Sequence, residues 1–352
     1  MTDISGRRAG ALRLTKAAIL LSSVAALSLG STVYAYAKAT IATFDAPNDA
    51  GGTYPESIDG GVIAGYYVDA NNLAHGFLRA VDGTLTIFDP PGSNGTISSS
   101  ISNGITTGWY FDNNGAAHGF VRSPEGTISS FDPVGSIYTQ AASVNKRGEI
   151  AGLYYDANYV RHGFLRKPNG KLIAFDPPGS TSTFATSINS YGSITGFYGD
   201  SNQVVHGYVR SADGNIVSFD PPDADITFAY DINDDGTISG SYHIIGEPVQ
   251  PVEQHGFVRT PDGTFTKFDF SGYPHARATW AYSINNKERI AGDYNTYYGY
   301  YVGFVRAPDG KIKEFEPPSA AQTIVRSVDN SGNITGYFKD GSGATHGFLR
   351  VP

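Results

Sequence analysis

Ser187–Pro222 reads SINSYGSITGFYGDSNQVVHGYVRSADGNIVSFDPP, and nearly the same line occurs seven times in the 352 residues. Its fixed points are a Ser-Ile-Asn-like triplet, Gly-x-Ile-x-Gly-x-Tyr, His-Gly-Phe-x-Arg, an Asp-Gly turn and Phe-Asp-Pro-Pro. The glycines of the His-Gly-Phe signature are Gly76, Gly119, Gly163, Gly207, Gly256, Gly303 and Gly347, spaced by 43, 44, 44, 49, 47 and 44 residues. Self-similarity at such a period sets the architecture before any other signal, because one repeat is too small to bury a core alone.

Each repeat holds four strand-like pieces. In the fourth copy these are Thr183–Ile188, Ser193–Tyr198, Val204–Arg210 and Asn215–Phe219, separated by turn residues. Asp213-Gly214 between alternating apolar residues is a hairpin signal. Four antiparallel strands in about 44 residues match a propeller blade. The fold expected is therefore all-β, a seven-bladed β-propeller with four antiparallel strands per blade. The chain ends support closure. Thr40–Asp45 reads as a fourth strand with no blade before it, and His346–Pro352 as a third strand with none after it. The N-terminal strand is expected to complete the last blade, three strands plus one, which removes the open edges.

The repeat resembles the HAF-type extracellular repeat of exported bacterial proteins. The residues that carry the likeness are His75-Gly76-Phe77, His118-Gly119-Phe120, His162-Gly163-Phe164, His255-Gly256-Phe257, His346-Gly347-Phe348 and the Phe-Asp-Pro units, over about residues 40–352. His206-Gly207-Tyr208 and Val302-Gly303-Phe304 depart from it. The resemblance implies an exported protein and brings no catalytic residues with it.

Residues 1–37 read as a cleaved signal peptide. Arg7, Arg8, Arg13 and Lys16 precede the apolar run Ala17–Gly30, and Ala35-Tyr36-Ala37 is an A-x-A cleavage site. The remainder, 38–352, is expected to be one propeller domain, periplasmic or extracellular, without a transmembrane segment and monomeric. Its net charge would move from −8 to −11, which excludes nucleic acid as a partner because phosphate contacts need clustered Lys and Arg. Without cysteine there is no disulfide or thiol chemistry.

The repeated charged residues read as structure. Arg79, Arg122, Arg166 and Arg210 follow the motif glycines, and Asp89, Asp132, Asp176 and Asp220 follow the motif phenylalanines. A charge-assisted Arg–carboxylate pair in every blade is the expectation. The motif histidines read as hydrogen-bonded structural residues. No metal and no cofactor are expected, since equivalent positions in different blades cannot converge on one ion.

Function is sought where the copies differ. The span from the second-strand glycine to the motif glycine is 11 residues in six copies and 16 from Gly240 to Gly256. The extra residues lie in 242–254, and a further gain of three lies in 270–279. Both fall on one face of a propeller. The two histidines outside the motif, His243 and His275, fall there, with Glu247, Arg277 and Trp280. The innermost strands add Glu56, Tyr230 and Tyr282 at a variable belt. Clustered aromatics with a few polar groups suit a glycan or small-ligand platform. No nucleophile elbow, P-loop or zincin motif is present. The leading expectation is thus a non-catalytic binding or scaffold module for extracellular glycan or a surface protein. The alternative is a propeller hydrolase or lyase, of lactonase, lyase or glycosidase kind, with His243 or His275 as acid/base and Glu247 or Glu56 as partner. A third reading is a structural envelope component with no small ligand.

Overall fold

The computed structural model describes residues 39–244, 254–270, 276–296 and 298–352. The signal read at 1–37 and the candidates Glu247 and His275 lie outside the described residues. Every regular element among the described residues is a β-strand, 28 in all. No helix of the described residues is long and apolar enough to cross a membrane.

The fourth repeat shows the local logic. Its strands are Ser180–Ile188, Ile194–Asp200, Val205–Arg210 and Ile216–Phe219, paired antiparallel in chain order. The turns between them need φ of +87° at Gly192 and +101° at Gly214, a region glycine enters without a Cβ penalty. The first strand starts three residues before the expected Thr183. A register shift between Ser180 and Ser182 carries its pairing on to Asp200. Thr40–Phe44 pairs antiparallel with Thr345–Val351 and so stands fourth in the sheet of the last repeat.

Glycine on the second strand is fixed by a bulge on the first. Pairing in the fourth repeat shifts register between Ala185 and Ser187, which presses the Phe184 carbonyl onto the second strand. A Cβ on Gly196 would stand 1.9 Å from that oxygen. The same close approach recurs at Gly65, Gly108, Gly152, Gly240, Gly292 and Gly336.

The expected Arg–carboxylate pairs are not formed, and strand register gives the reason. Gly76 pairs with Phe88 and Arg79 with Leu85, so Arg79 lies three residues along the hairpin from the Asp89 end, about 10 Å at strand rise. Asp89 instead meets His75, whose Nδ1 is 2.8 Å from its Oδ2. His118–Asp132, His162–Asp176 and His206–Asp220 repeat this at 2.7 Å. The guanidinium groups turn to rings of the preceding Phe-Asp unit: Arg79 over Phe44, Arg122 over Phe88, Arg166 over Phe131 and Arg210 over Phe175, at 4.8–5.1 Å. Each such phenylalanine also covers the motif glycine of its own hairpin; a Cβ on Gly207 would lie 2.4 Å from Phe219. It packs edge-on against the motif aromatic of the next repeat, as Phe219 does on Phe257. An Arg–Phe–Phe contact between repeats thus stands where the Arg–carboxylate pairs were expected.

A second tie runs through the first strands. Ser57 Oγ accepts the Ile101 N–H, Ser100 that of Val144, Ser143 that of Ile188, Ser283 that of Val328, and Ser327 that of Ile58, all at 3.2–3.3 Å. The series returns from the last repeat to the first. Asp231 holds this place in the fifth repeat. It takes the Ser187 hydroxyl on Oδ1, and the Ser283 hydroxyl and Ile284 N–H on Oδ2.

The terminal strands are joined by one titrating contact. His346 Nδ1 lies 2.8 Å from Asp45 Oδ1, and its Nε2 3.5 Å from Asp340. Burial acts to lower its pKa, but Asp45 and Asp340 more than offset this and raise it above the ordinary histidine value. A raised folded-state pKa stabilises fully below the unfolded value near 6.5 and loses that contribution as pH rises through the folded value. His346→Gln is therefore expected to lower the urea midpoint more at pH 5.5 than at pH 8.5. An equal loss at both would show that the contact does not titrate.

Candidate functional site

Along each first strand, residues two apart share a face, and the face that varies gathers the unusual chemistry. Glu56 and Arg326 come from the first strands Gly52–Asp59 and Ala320–Val328, and Arg326 Nε lies 3.3 Å from Glu56 Oε2. Its Nη2 is 3.4 Å from the Tyr337 hydroxyl, and its guanidinium stands over that ring at 5.4 Å. Tyr337 in turn meets Tyr54 edge-on, and Tyr54 stacks on Tyr66 at 4.9 Å.

At the same position of two other first strands are Tyr230 and Tyr282, with ring centroids 5.2 Å apart. The Tyr230 hydroxyl is 3.0 Å from Ser241 Oγ. Trp280 stacks on Tyr301 at 5.7 Å and pairs across the hairpin with Asp293. Asp293 is 1% exposed. Its Oδ2 accepts the Val325 N–H at 3.0 Å, while Oδ1 has no hydrogen-bond partner. Tyr282, Asp293, Tyr301, Gln322, Ile324, Arg326, Tyr337 and Lys339 enclose a cavity of about 300 Å³.

The electrostatics follow from burial. Asp293 is pushed up to about 7 by desolvation, against the Val325 N–H and the Arg326 charge. Burial also raises Glu56, with Arg326 opposing. Burial acts to lower Arg326, but Glu56, Tyr337, Tyr282 and Asp293 more than offset it and hold the guanidinium firmly charged. Burial pushes Tyr230 up to about 12 and Tyr282 higher still. The cluster therefore pairs a locked cation with a carboxyl that gains and loses its proton near neutrality.

Of the residues singled out from sequence, the structure joins Glu56 to the cavity through Arg326, and places Tyr230, Tyr282 and Trp280 around Asp293. His243 is elsewhere: its Nδ1 is 2.7 Å from Asp225 Oδ1. No hydrogen bond or ion pair among the described residues links it to Glu56. Arg277 lies on the first strand Ala276–Ile284 and is not among the residues that enclose the cavity. No cluster among the described residues could hold a metal ion. Sequence reading missed Asp293. The position between glycine and aromatic on the second strand reads Tyr66, Trp109, Leu153, Phe197, Ser241, Asp293 and Tyr337, and one acid among those side chains was the available signal.

A larger cavity, about 540 Å³, lies at the other end of the first strands and is lined by the Ser-Ile-Asn triplets of all seven repeats. Its side chains are committed to the inter-repeat bonds described above and to others such as Asn145 Nδ2 to the Asn189 carbonyl. That makes it structural rather than reactive.

No family model matches the chain, and no curated protein matches it. Solved structures do. The chain is similar to the β-propeller domain of the Trilobed protease from Pyrococcus furiosus, at 9% identity and a TM-score of 0.61, over 85% of this chain and 94% of that one. It is similar to puromycin hydrolase at 14% identity and 0.59, over 86% and 53%. It is similar to Pyrococcus horikoshii acylaminoacyl peptidase at 12% and 0.57, over 84% and 51%. The chain spans about half the length of the latter two. At such identities the likeness shows the β-propeller fold and nothing of the chemistry.

Proposed function

We propose that the seven four-stranded units are the blades of one ring, closed by Thr40–Phe44 on the last blade, and that the cavity at Asp293 is the acid–base site of a hydrolase. The serine series that returns from Ser327 to Ile58 supports closure. Export to the periplasm or beyond is proposed from residues 1–37 and the HAF-type resemblance. The observation that carries the hydrolytic reading is the Asp293 carboxyl. It is buried, has one oxygen unbonded, is pushed up to about 7 by burial and belongs to the wall of a cavity that Arg326 also lines. A carboxyl near the working pH is suited to give and take a proton. Arg326 is placed to bear negative charge that develops on a substrate oxygen. The solved structures of similar fold include propellers belonging to peptidases, but the hydrolytic reading rests on the Asp293 site and not on them.

The scaffold reading keeps one specific support. The belt of stacked rings, Tyr54 on Tyr66, Phe184 on Phe197 and Trp280 on Tyr301, resembles a glycan platform.

The test is a turnover panel on mature residues 38–352: nitrophenyl esters, lactones, nitrophenyl glycosides and peptidyl nitroanilides. Each is run beside Asp293→Asn. Turnover that the variant loses is the expected result. Glycan binding with no turnover on any class would overturn the hydrolase reading in favour of the platform.

A further inference from the structure

The lining of the Asp293 cavity is unbalanced in charge in a way the whole chain is not. The protein carries a net −8, yet the cavity is lined by Arg326, Lys339, Tyr282, Tyr301, Tyr337 and Gln322. All of these offer N–H or O–H donors. Asp293 is the sole acid among the described lining residues. Glu56, which does not line the cavity, is engaged with Arg326 at 3.3 Å from its Nε. A concave site with convergent donors and one poised acid selects an oxyanion. Tyr301, which lines the cavity and stacks on Trp280 with 24° between the rings, brings to one wall an aromatic ring of the kind that packs on the C–H side of a pyranose.

We infer that this cavity takes a hydroxylated carboxylate of monosaccharide size, a uronic acid unit, with the carboxylate toward Arg326 and Lys339 and the sugar ring against Tyr301. The inference rests on the cavity being the functional site, as proposed above, and names its ligand class. It carries a pH signature. The groups that face Asp293 are Arg326 from the last repeat, Tyr230 and Tyr282 from neighbouring first strands, and the Val325 N–H. Lys339 shares the cavity. A ligand carboxylate brought in beside Asp293 favours the protonated acid. Binding then takes up a proton above pH 7, and affinity falls by up to about tenfold per pH unit there.

Isothermal titration on mature residues 38–352 tests this with D-glucuronate, methyl β-D-glucoside and succinate at pH 6, 7 and 8. At pH 6 glucuronate is expected to bind about tenfold or more tighter than either of the others. Its affinity is expected to drop between pH 7 and 8. Lys339 is exposed, so Lys339→Gln should fold normally and lose part of the preference for glucuronate over the neutral glucoside. Equal binding of glucuronate and glucoside, absence of glucuronate binding, or an unchanged preference in Lys339→Gln would overturn the assignment. Succinate binding as tightly as glucuronate would overturn its sugar half. Glucuronate binding with no turnover in the substrate panel would retain this inference and sink the hydrolase reading. Turnover of neutral substrates without glucuronate preference would do the reverse.

Discussion

Gly196→Ala is expected to destabilise the protein by about 3 kcal/mol, the upper end for forcing one carbon into a packed site. The added Cβ would meet the Phe184 carbonyl oxygen at 1.9 Å and the Tyr208 hydroxyl at 2.9 Å. Backbone on the first strand must move, because no flexible side-chain end is available to yield. The hydrogen bond from the Tyr208 hydroxyl to that same carbonyl, 3.1 Å long, would be strained with it. Gly341→Ala is the matched control. A Cβ there meets nothing within 4 Å, and its φ is not in the left-handed region. It should change stability by less than about 1 kcal/mol, in the stabilising direction, through the unfolded chain. Urea unfolding of both variants reads the contrast, and a similar loss in each would mean that close strand approach is not what fixes glycine on the second strand.

This glycine was legible in the sequence as a fixed point but not as a cause. Repetition showed that Gly-x-Tyr recurs; only the bulge between Ala185 and Ser187 shows why. The strands were readable for a simpler reason. Alternating apolar residues and Asp-Gly turns act locally, so the four pieces of the fourth repeat lie within a few residues of their expected places. The Arg–carboxylate expectation failed because proximity in a hairpin depends on register. Moving from His75 to Arg79 takes a side chain from the Asp89 end of the strand to the other. Thr53, Thr96, Thr139, Thr183, Thr227, Thr279 and Thr323 occupy one buried position in all seven repeats. Their role was invisible without the third dimension: Thr139, Thr183 and Thr227 donate to Asp132, Asp176 and Asp220, continuing each histidine–aspartate contact into the core.

The site was half legible. Insertions drew attention to His243, and its contact with Asp225 is outside the repeat pattern. Yet length variation marks where loops drift, whereas the cavity is built on strands of unchanged length. Glu56 was visible in the variable belt of the repeat, but its ion pair with Arg326 joins the first repeat to the last. No local pattern encodes that.

Asp293→Asn should have two opposed effects. In the folded protein the Asp293 carboxyl titrates at about 7, while in the unfolded chain it titrates near 3.9. Below about pH 4 both states hold the proton and the acid leaves stability unaffected. Between pH 4 and 7 the unfolded chain releases the proton and the folded protein keeps it, so stability falls as pH rises, by up to about 4 kcal/mol in all. Asparagine escapes that loss, and its Oδ1 can still accept the Val325 N–H. The variant should therefore match the wild type near pH 4 and melt higher at pH 8. Hydrolytic turnover should fall about 10²- to 10⁴-fold at the same time, as for loss of a proton carrier. A melting difference independent of pH would show that the acid is not held near neutrality, and undiminished turnover would remove it from the chemistry. An acid that weakens the fold, at a position where the other repeats carry Tyr, Trp, Leu, Phe and Ser, departs from the repeat's own logic. Such departures are expected where function rather than stability sets the residue.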